Sequence, residues 1–119
     1  MAQVLPAERD LRRVIGDGEA VPDGEVDGLT DHDLVELYRS LVLLRTYDER
    51  SVVYHRQGRI GTYAIYWNHE AMQAGSVYAL EDKDWIFPSY RESAIGLLRG
   101  MPASTVLSWW RGHPAGWWN

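Results

Sequence analysis

Cysteine is absent from this chain. A disulfide scaffold, a thiolate zinc site and a cysteine nucleophile are therefore all excluded. Long hydrophobic runs are missing too. The longest uninterrupted apolar stretch is Tyr63-Ala64-Ile65-Tyr66-Trp67, far short of the roughly 20 residues that span a bilayer, so no membrane association is expected. Nor is there a surplus of positive charge: 12 Lys+Arg stand against 17 Asp+Glu, a net −5. Duplex binding needs cations to displace counterions from phosphates, so no nucleic-acid partner is expected. Lysine is nearly lacking, since Lys83 is the single exception among the bases. Arginine favours bidentate pairing with carboxylate or phosphate, although genomic GC bias gives the same ratio. No Walker loop, Gly-x-Gly-x-x-Gly or Gly-x-Ser-x-Gly occurs, and His32, His55 and His113 have no metal-ligand spacing. Met1 to Asp10 carries no basic start followed by an apolar stretch, so a secretory signal is not expected and a cytoplasmic location is.

What is present suits one globular domain with a modest core: 119 residues, 45% hydrophobic and 24% charged. The acidity is uneven, because residues 1–30 hold seven acids and three bases and so carry most of the charge. Six tryptophans are a heavy load, and four of them fall at Trp109, Trp110, Trp117 and Trp118. Adjacent tryptophans at a free end invite association. The end is expected either to dock on something or to belong to a longer chain.

Residues 1–29 read as an acidic, Gly/Pro-rich arm. Arg13-Val14-Ile15 could seed a short strand, and Gly16-Asp17-Gly18 and Val21-Pro22-Asp23-Gly24 are turn signals. Thr30 then caps a long helix with Asp31 and Asp33 in its first turn. Leu34, Leu37, Tyr38, Leu41, Leu44 and Asp48 recur at spacings of three or four, and Gly58 is a natural C′ residue. Asn68 is expected to cap a second helix over roughly 69–80, with Ala71, Gly75 and Ala79 making one face flat enough for close packing. Trp85-Ile86-Phe87 reads as a buried strand or extended piece. Ser89 and Glu92 form a capping-box pattern for a helix running to Arg99, which Gly100 ends. Pro102 opens a last helix to about Arg111.

Ser89-Tyr90-Arg91-Glu92 is the best local candidate for chemistry. Free amides at a helix start favour an anion, the Arg91 guanidinium is a planar fork for phosphate oxygens, and Tyr90 adds a hydroxyl donor. The ordinary alternative is an ion pair of Arg91 with Glu92 or Glu70. His69-Glu70 could be an acid–base pair but reads more simply as solvated surface.

Taken together, Leu37-Tyr38-Arg39-Ser40-Leu41-Val42-Leu43-Leu44-Arg45-Thr46-Tyr47-Asp48-Glu49-Arg50, Arg56-Gln57-Gly58-Arg59-Ile60-Gly61-Thr62-Tyr63, Asp84-Trp85-Ile86-Phe87-Pro88-Ser89-Tyr90-Arg91-Glu92 and Leu98-Arg99-Gly100 resemble a known family. It is the alpha subunit of the thiamin-diphosphate-dependent first component of 2-oxo acid dehydrogenase complexes. Pyruvate and branched-chain enzymes share the pattern, over about residues 12–112. The resemblance implies a mainly α stretch from the N-terminal part of an α/β thiamin-diphosphate-binding fold, preceded by an extended arm. Residues 30–112 would be the helical N-terminal part of the subunit's domain, and 113–119 a Trp-rich tail outside the match.

The resemblance also implies the chemistry. Thiamin diphosphate would drive oxidative decarboxylation of a 2-oxo acid, with acyl transfer to a lipoyl group. Tyr90 and Arg91 match the pair that holds the diphosphate. Tyr63 and Tyr66 fall on the substrate side of the pocket, with a core or interface role equally open. Partners would be a beta subunit, in a heterotetramer, and a lipoyl-bearing acyltransferase. Magnesium would be supplied by a part of the subunit not seen here. Gly16-Asp17-Gly18 matches the opening of the family's metal motif, but the first asparagine after it is Asn68, too distant, and no buried strand precedes it. No catalytic or metal-binding residue is therefore assigned. Two further departures are Asn68-His69-Glu70-Ala71 where the family has Gly-Gln-Glu-Ala, and Ser93 where it often has His. The expected product is a partial subunit, inactive alone. A non-catalytic module or inert remnant that associates with the beta subunit is the alternative.

Overall fold

A computed structural model describes residues 28–117. The expected arm with its hairpin, up to residue 27, and Trp118-Asn119 lie outside that range. Among the described residues there are helices and turns and no strands, which matches the mainly α expectation.

The first helix, α1, runs Asp31–Arg56. Thr30 caps it as expected: its hydroxyl accepts from Asp33 N, and Asp33 Oδ2 accepts from Thr30 N at 2.8 Å. That hydroxyl and backbone bonding holds the Asp33 carboxyl below the ordinary carboxylate range. Gly58 follows the last turn at φ 68°, a left-handed conformation that glycine adopts without Cβ strain.

Burial on α1 departs from the expected stripe. Leu44, Tyr47, Asp48 and Ser51 are buried, whereas Leu34 and Tyr38 face solvent. The shared core gathers on Leu44 and Tyr47 in the second half of α1, whereas the first half meets Tyr78, which reaches Asp33 rather than an apolar side chain.

The second helix, α2, runs Glu70–Tyr78, with His69 rather than Asn68 at its N-cap and no side-chain cap bond. Asn68 instead takes φ 67°. Asparagine is among the few non-glycine residues that visit this region readily, which accounts physically for its standing where the family pattern has Gly. The buried side of α2 is Glu70, Gln73 and Ala74. The flat face of Ala71, Gly75 and Ala79 is open, and a Cβ added at Gly75 would meet nothing within 4 Å.

Trp85-Ile86-Phe87 is not a buried strand. Trp85 is 84% and Phe87 88% exposed, their rings stacked on each other at 6.4 Å. A strand needs a ladder partner to satisfy its backbone groups, and none lies beside it among the described residues.

The expected helix from Ser89 to Arg99 shrinks to α3, Ile95–Leu98. Only half of the capping box forms, with Ser89 N donating to Glu92 Oε2 at 3.1 Å. In a regular helix the Arg91 carbonyl would accept from Ile95 N. Here Ile95 N turns to Glu92 O, and Arg91 O accepts from Gln73 Nε2 at 3.4 Å. A competing side chain thus takes the carbonyl that the helix would use.

The last α-helix, α4, is Ala103–Trp110 with Pro102 as its N-cap, followed by a 3-10 turn at Pro114–Gly116. That turn folds back on α4. A Cβ on Gly116 would sit 2.1 Å from Trp109 N, so only glycine permits the approach. The shared core holds Leu44, Tyr47, Ile60, Tyr63, Tyr66, Ala94, Leu97 and Val106.

Candidate functional site

The turn before the site is held by one arginine. At the end of α3, Arg99 donates to the carbonyls of Glu81 at 3.1 Å, Asp82 at 2.6 Å and Asp84 at 3.4 Å. Three carbonyls on one planar fork fix the direction in which residues 85–90 leave the turn. A cleft of about 780 Å³ opens between that segment and α3–α4, with Trp85, Ile86, Pro88, Tyr90, Ser93 and Trp109 among its walls.

Tyr90 stands at the rim of this cleft, 64% exposed. The Arg91 guanidinium lies 5.5 Å from the Tyr90 ring centroid and donates to the carbonyl of Ile65. Among the described residues no carboxylate pairs with it. Glu92 is engaged by Ser89 N, and Glu70 by Arg45 at 2.5 Å. The ion pairs offered as the ordinary explanation of Arg91 are therefore not formed. One N–H is spent on Ile65, and a guanidinium has five. A cation and a phenol side by side can take an anionic oxygen, but the helix amides expected at Ser89 are not there to help.

Tyr63 and Tyr66 lie in the core. Tyr63 OH donates to Asp48 Oδ1 at 2.8 Å, and Tyr66 OH donates to the Leu44 carbonyl at 3.0 Å. Burial, first of all, drives both phenols far above their ordinary pKa, and nearby charge adds to it, so they remain donors. The Tyr63 ring meets Trp110 edge-on at 5.2 Å. Tyr47 is pushed up by burial in the same way.

Three residues matter here that were given no site role in the sequence. Asp48, 0% exposed, receives Tyr63 OH and, at 3.3 Å, Tyr66 N. Gln73 reaches the Arg91 backbone. Arg45 bridges α1 to the buried Glu70 and lies 4.6 Å from the Trp67 ring centroid. For Glu70 burial pushes its carboxyl up, but the Arg45 and backbone hydrogen bonds and the Arg45 charge outweigh this and leave it below the ordinary value. The pair occupies Glu70, so His69, exposed beside it, is not its acid–base partner. A signal for Asp48 was available: a carboxylate on the apolar stripe of a helix requires donors wherever that stripe is buried.

Among the described residues no group of three or more His, Asp or Glu side chains is arranged to hold a metal. No described helix is long and apolar enough to cross a membrane.

A family model described as dehydrogenase E1 component matches residues 38–117, running past the Gly112 at which the resemblance was expected to end. The pyruvate dehydrogenase E1 component subunit alpha of Staphylococcus epidermidis is 42% identical over 97 residues, 82% of this chain and 26% of the relative. Its counterpart in Staphylococcus aureus strain Mu50 is 37% identical over 127 residues, 95% of this chain and 34% of the relative. The chain thus spans about a quarter to a third of the length of these curated relatives. No solved structure matches.

Proposed function

The chain belongs to the dehydrogenase E1 component family, and from that premise we propose that it is a partial alpha subunit of a 2-oxo acid dehydrogenase. Pyruvate is the first choice of substrate, in keeping with the names of the relatives, and a branched-chain 2-oxo acid the second. The observation that carries the site is the Tyr90–Arg91 pair: an exposed phenol on the rim of a roomy cleft, beside a guanidinium that turns to the Ile65 carbonyl and that no carboxylate among the described residues neutralises. This donor set fits a diphosphate. Tyr90 and Arg91 would hold that group of thiamin diphosphate, with magnesium bound by sequence that this chain does not include.

When bound, the cofactor supplies the nucleophilic carbon for decarboxylation and acyl transfer, and the organic chemistry is its own. The chain's contribution is positioning. Arg91 offers its remaining N–H groups to anionic oxygens while Ile65 holds one arm of the fork. Tyr90 adds a neutral donor. For Tyr63 and Tyr66 we favour the core role over direct substrate contact, because both hydroxyls are already committed to Asp48 and Leu44. The partners would be a beta subunit in a heterotetramer and a lipoyl-bearing acyltransferase, in the cytoplasm.

The test restores the rest of the enzyme by fusion or complementation and titrates thiamin diphosphate. Arg91→Ala is expected to raise the half-saturating concentration by about one to two decades, as losing a charge-assisted bond worth roughly 1.5–3 kcal/mol requires. Arg91→Lys recovers only part, since a point charge cannot reproduce the fork. Equal half-saturation for wild type and both variants sinks the assignment.

A second reading has its own observation. Trp85 and Phe87 present stacked apolar rings to solvent, as a non-catalytic module docking on a dehydrogenase beta subunit would. Co-expression decides it: a chain that stays monomeric and folded beside the beta subunit has no such role.

A further inference from the structure

Asp48 is fully buried, and no cation lies within ion-pair distance of it among the described residues. A carboxylate in such a place needs hydrogen bonds or a counter-charge to be tolerated. Its two donors are Tyr63 OH and Tyr66 N, both on Oδ1, while Oδ2 has no partner among the described residues. The second donor is informative. The N–H of Tyr66 and the carbonyl of Ile65 are two ends of one peptide group, and that carbonyl accepts from the Arg91 guanidinium. A single peptide plane therefore lies between a buried anion and a partly exposed cation, its dipole aligned with both. A carboxylate at the N–H end makes the carbonyl oxygen a better acceptor, because bonds in a chain polarise one another in a low-dielectric interior.

We propose that Asp48 is a positioning residue for Arg91, acting through the Ile65–Tyr66 peptide. This rests on reading Arg91 as a diphosphate ligand, and adds what aims it. The arrangement explains two things at once: why a carboxylate sits on the buried side of α1 without a cation against it, and why Arg91 leans away from Glu92 and Glu70. Asp48 holds the peptide from behind. Gln73, donating to the Arg91 carbonyl at 3.4 Å, holds the backbone from α2. The guanidinium is then oriented from inside the protein, with its remaining N–H groups free to turn outward.

The experiment uses the 119-residue chain. Asp48→Asn keeps the shape and removes the charge, and Arg91→Ala removes the cation. Urea unfolding of wild type, both single variants and the double variant should depart from additivity by at least about twofold in the unfolding constant. Ser40→Ala removes a bond on the same helix outside this network, Ser40 Oγ to the Glu36 carbonyl at 3.0 Å, and should be additive with Arg91→Ala. Hydrogen exchange gives a reading that does not need Asp48→Asn to fold: in Arg91→Ala the Tyr66 amide should exchange several-fold faster than in wild type. An additive cycle, or an unchanged Tyr66 amide, overturns the proposal. Titration of the enzyme restored by fusion, with magnesium and inorganic pyrophosphate, then separates it from the reading beneath it. Asp48→Asn should weaken binding about three- to tenfold, and Ser40→Ala should leave it unchanged. If Arg91→Ala itself leaves pyrophosphate affinity unaltered, the diphosphate reading fails, while the unfolding cycle and the amide still judge the coupling.

Discussion

Arg91 and Asp48 sit on opposite sides of the same peptide, yet their visibility in the sequence differs. Arg91 was legible because a planar cation beside a tyrosine in a polar turn suits an anion whatever surrounds it. Asp48 was legible only as part of the α1 stripe, since its role depends on which loop packs over it. The same contrast holds for Tyr63 and Tyr66, whose core and pocket roles could not be told apart until their hydroxyl partners were known. Tyr63→Phe deprives the buried Asp48 oxygen of its 2.8 Å donor and keeps the ring packed. The expected cost is about 1–3 kcal/mol, the penalty for a buried group left short of a partner, read by urea denaturation. A loss well below this range would mean that water replaces the hydroxyl, and the core around Asp48 would be wetter than described.

Among the elements, α1 and α2 are joined by the Arg45–Glu70 pair, whose carboxyl lies below its ordinary value of 4.5 in the folded chain. A depressed carboxyl binds protons less readily folded than unfolded. Its contribution is therefore fully present above about pH 4.5 and is lost as pH falls through the lower folded value. The denaturation midpoints of wild type and Glu70→Gln should differ by a constant amount near neutrality and converge below that point. A gap that persists in acid would assign the stabilisation to packing rather than charge. At the other end of the chain, Gly116→Ala places a methyl carbon 2.1 Å from Trp109 N. Backbone cannot yield as a flexible side chain does, so the 3-10 turn should leave α4 at a cost of at least about 1–3 kcal/mol. A lower melting temperature and altered tryptophan fluorescence would record it, whereas an unchanged melt would contradict the close approach. The helices themselves were readable where local rules decide them, as with Thr30 at the start of α1 and Gly58 past its end. They were misread where a distant side chain intervened, as Gln73 does at the Arg91 carbonyl.

At the scale of the molecule, the large apolar groups left in solvent are too many to be incidental. Leu34, Val35, Tyr38 and Val42 on α1, and Trp85 and Phe87 in the extended segment, are all exposed. Surfaces of this kind mark association. Sedimentation should therefore give a mass that rises with concentration, and Trp85→Ser with Phe87→Ser should reduce that rise. A concentration-independent monomer would count against any docking role for these rings. Activity follows the same logic. The purified chain with pyruvate, thiamin diphosphate and magnesium should release no carbon dioxide, because two anionic phosphates need a bound cation and the first asparagine after Gly16-Asp17-Gly18 is the distant Asn68. Thiamin-dependent release without a partner would refute the partial-subunit reading.

Local sequence was enough for the family, the helical character of the stretch, the ends of its long helix and the Tyr90–Arg91 candidate. These follow from local caps, turn chemistry and in-order motifs, which act within a few residues of each other. Tertiary structure alone decided which face of α1 is buried, that Trp85-Ile86-Phe87 lies open, that the Ser89 helix is cut to α3, and that Arg91 rests on Ile65 rather than on a carboxylate. Each of these turns on a partner 18 to 26 residues away, or on the lack of one. The energy of such a contact is set by where the chain folds back, which no run of neighbouring residues encodes.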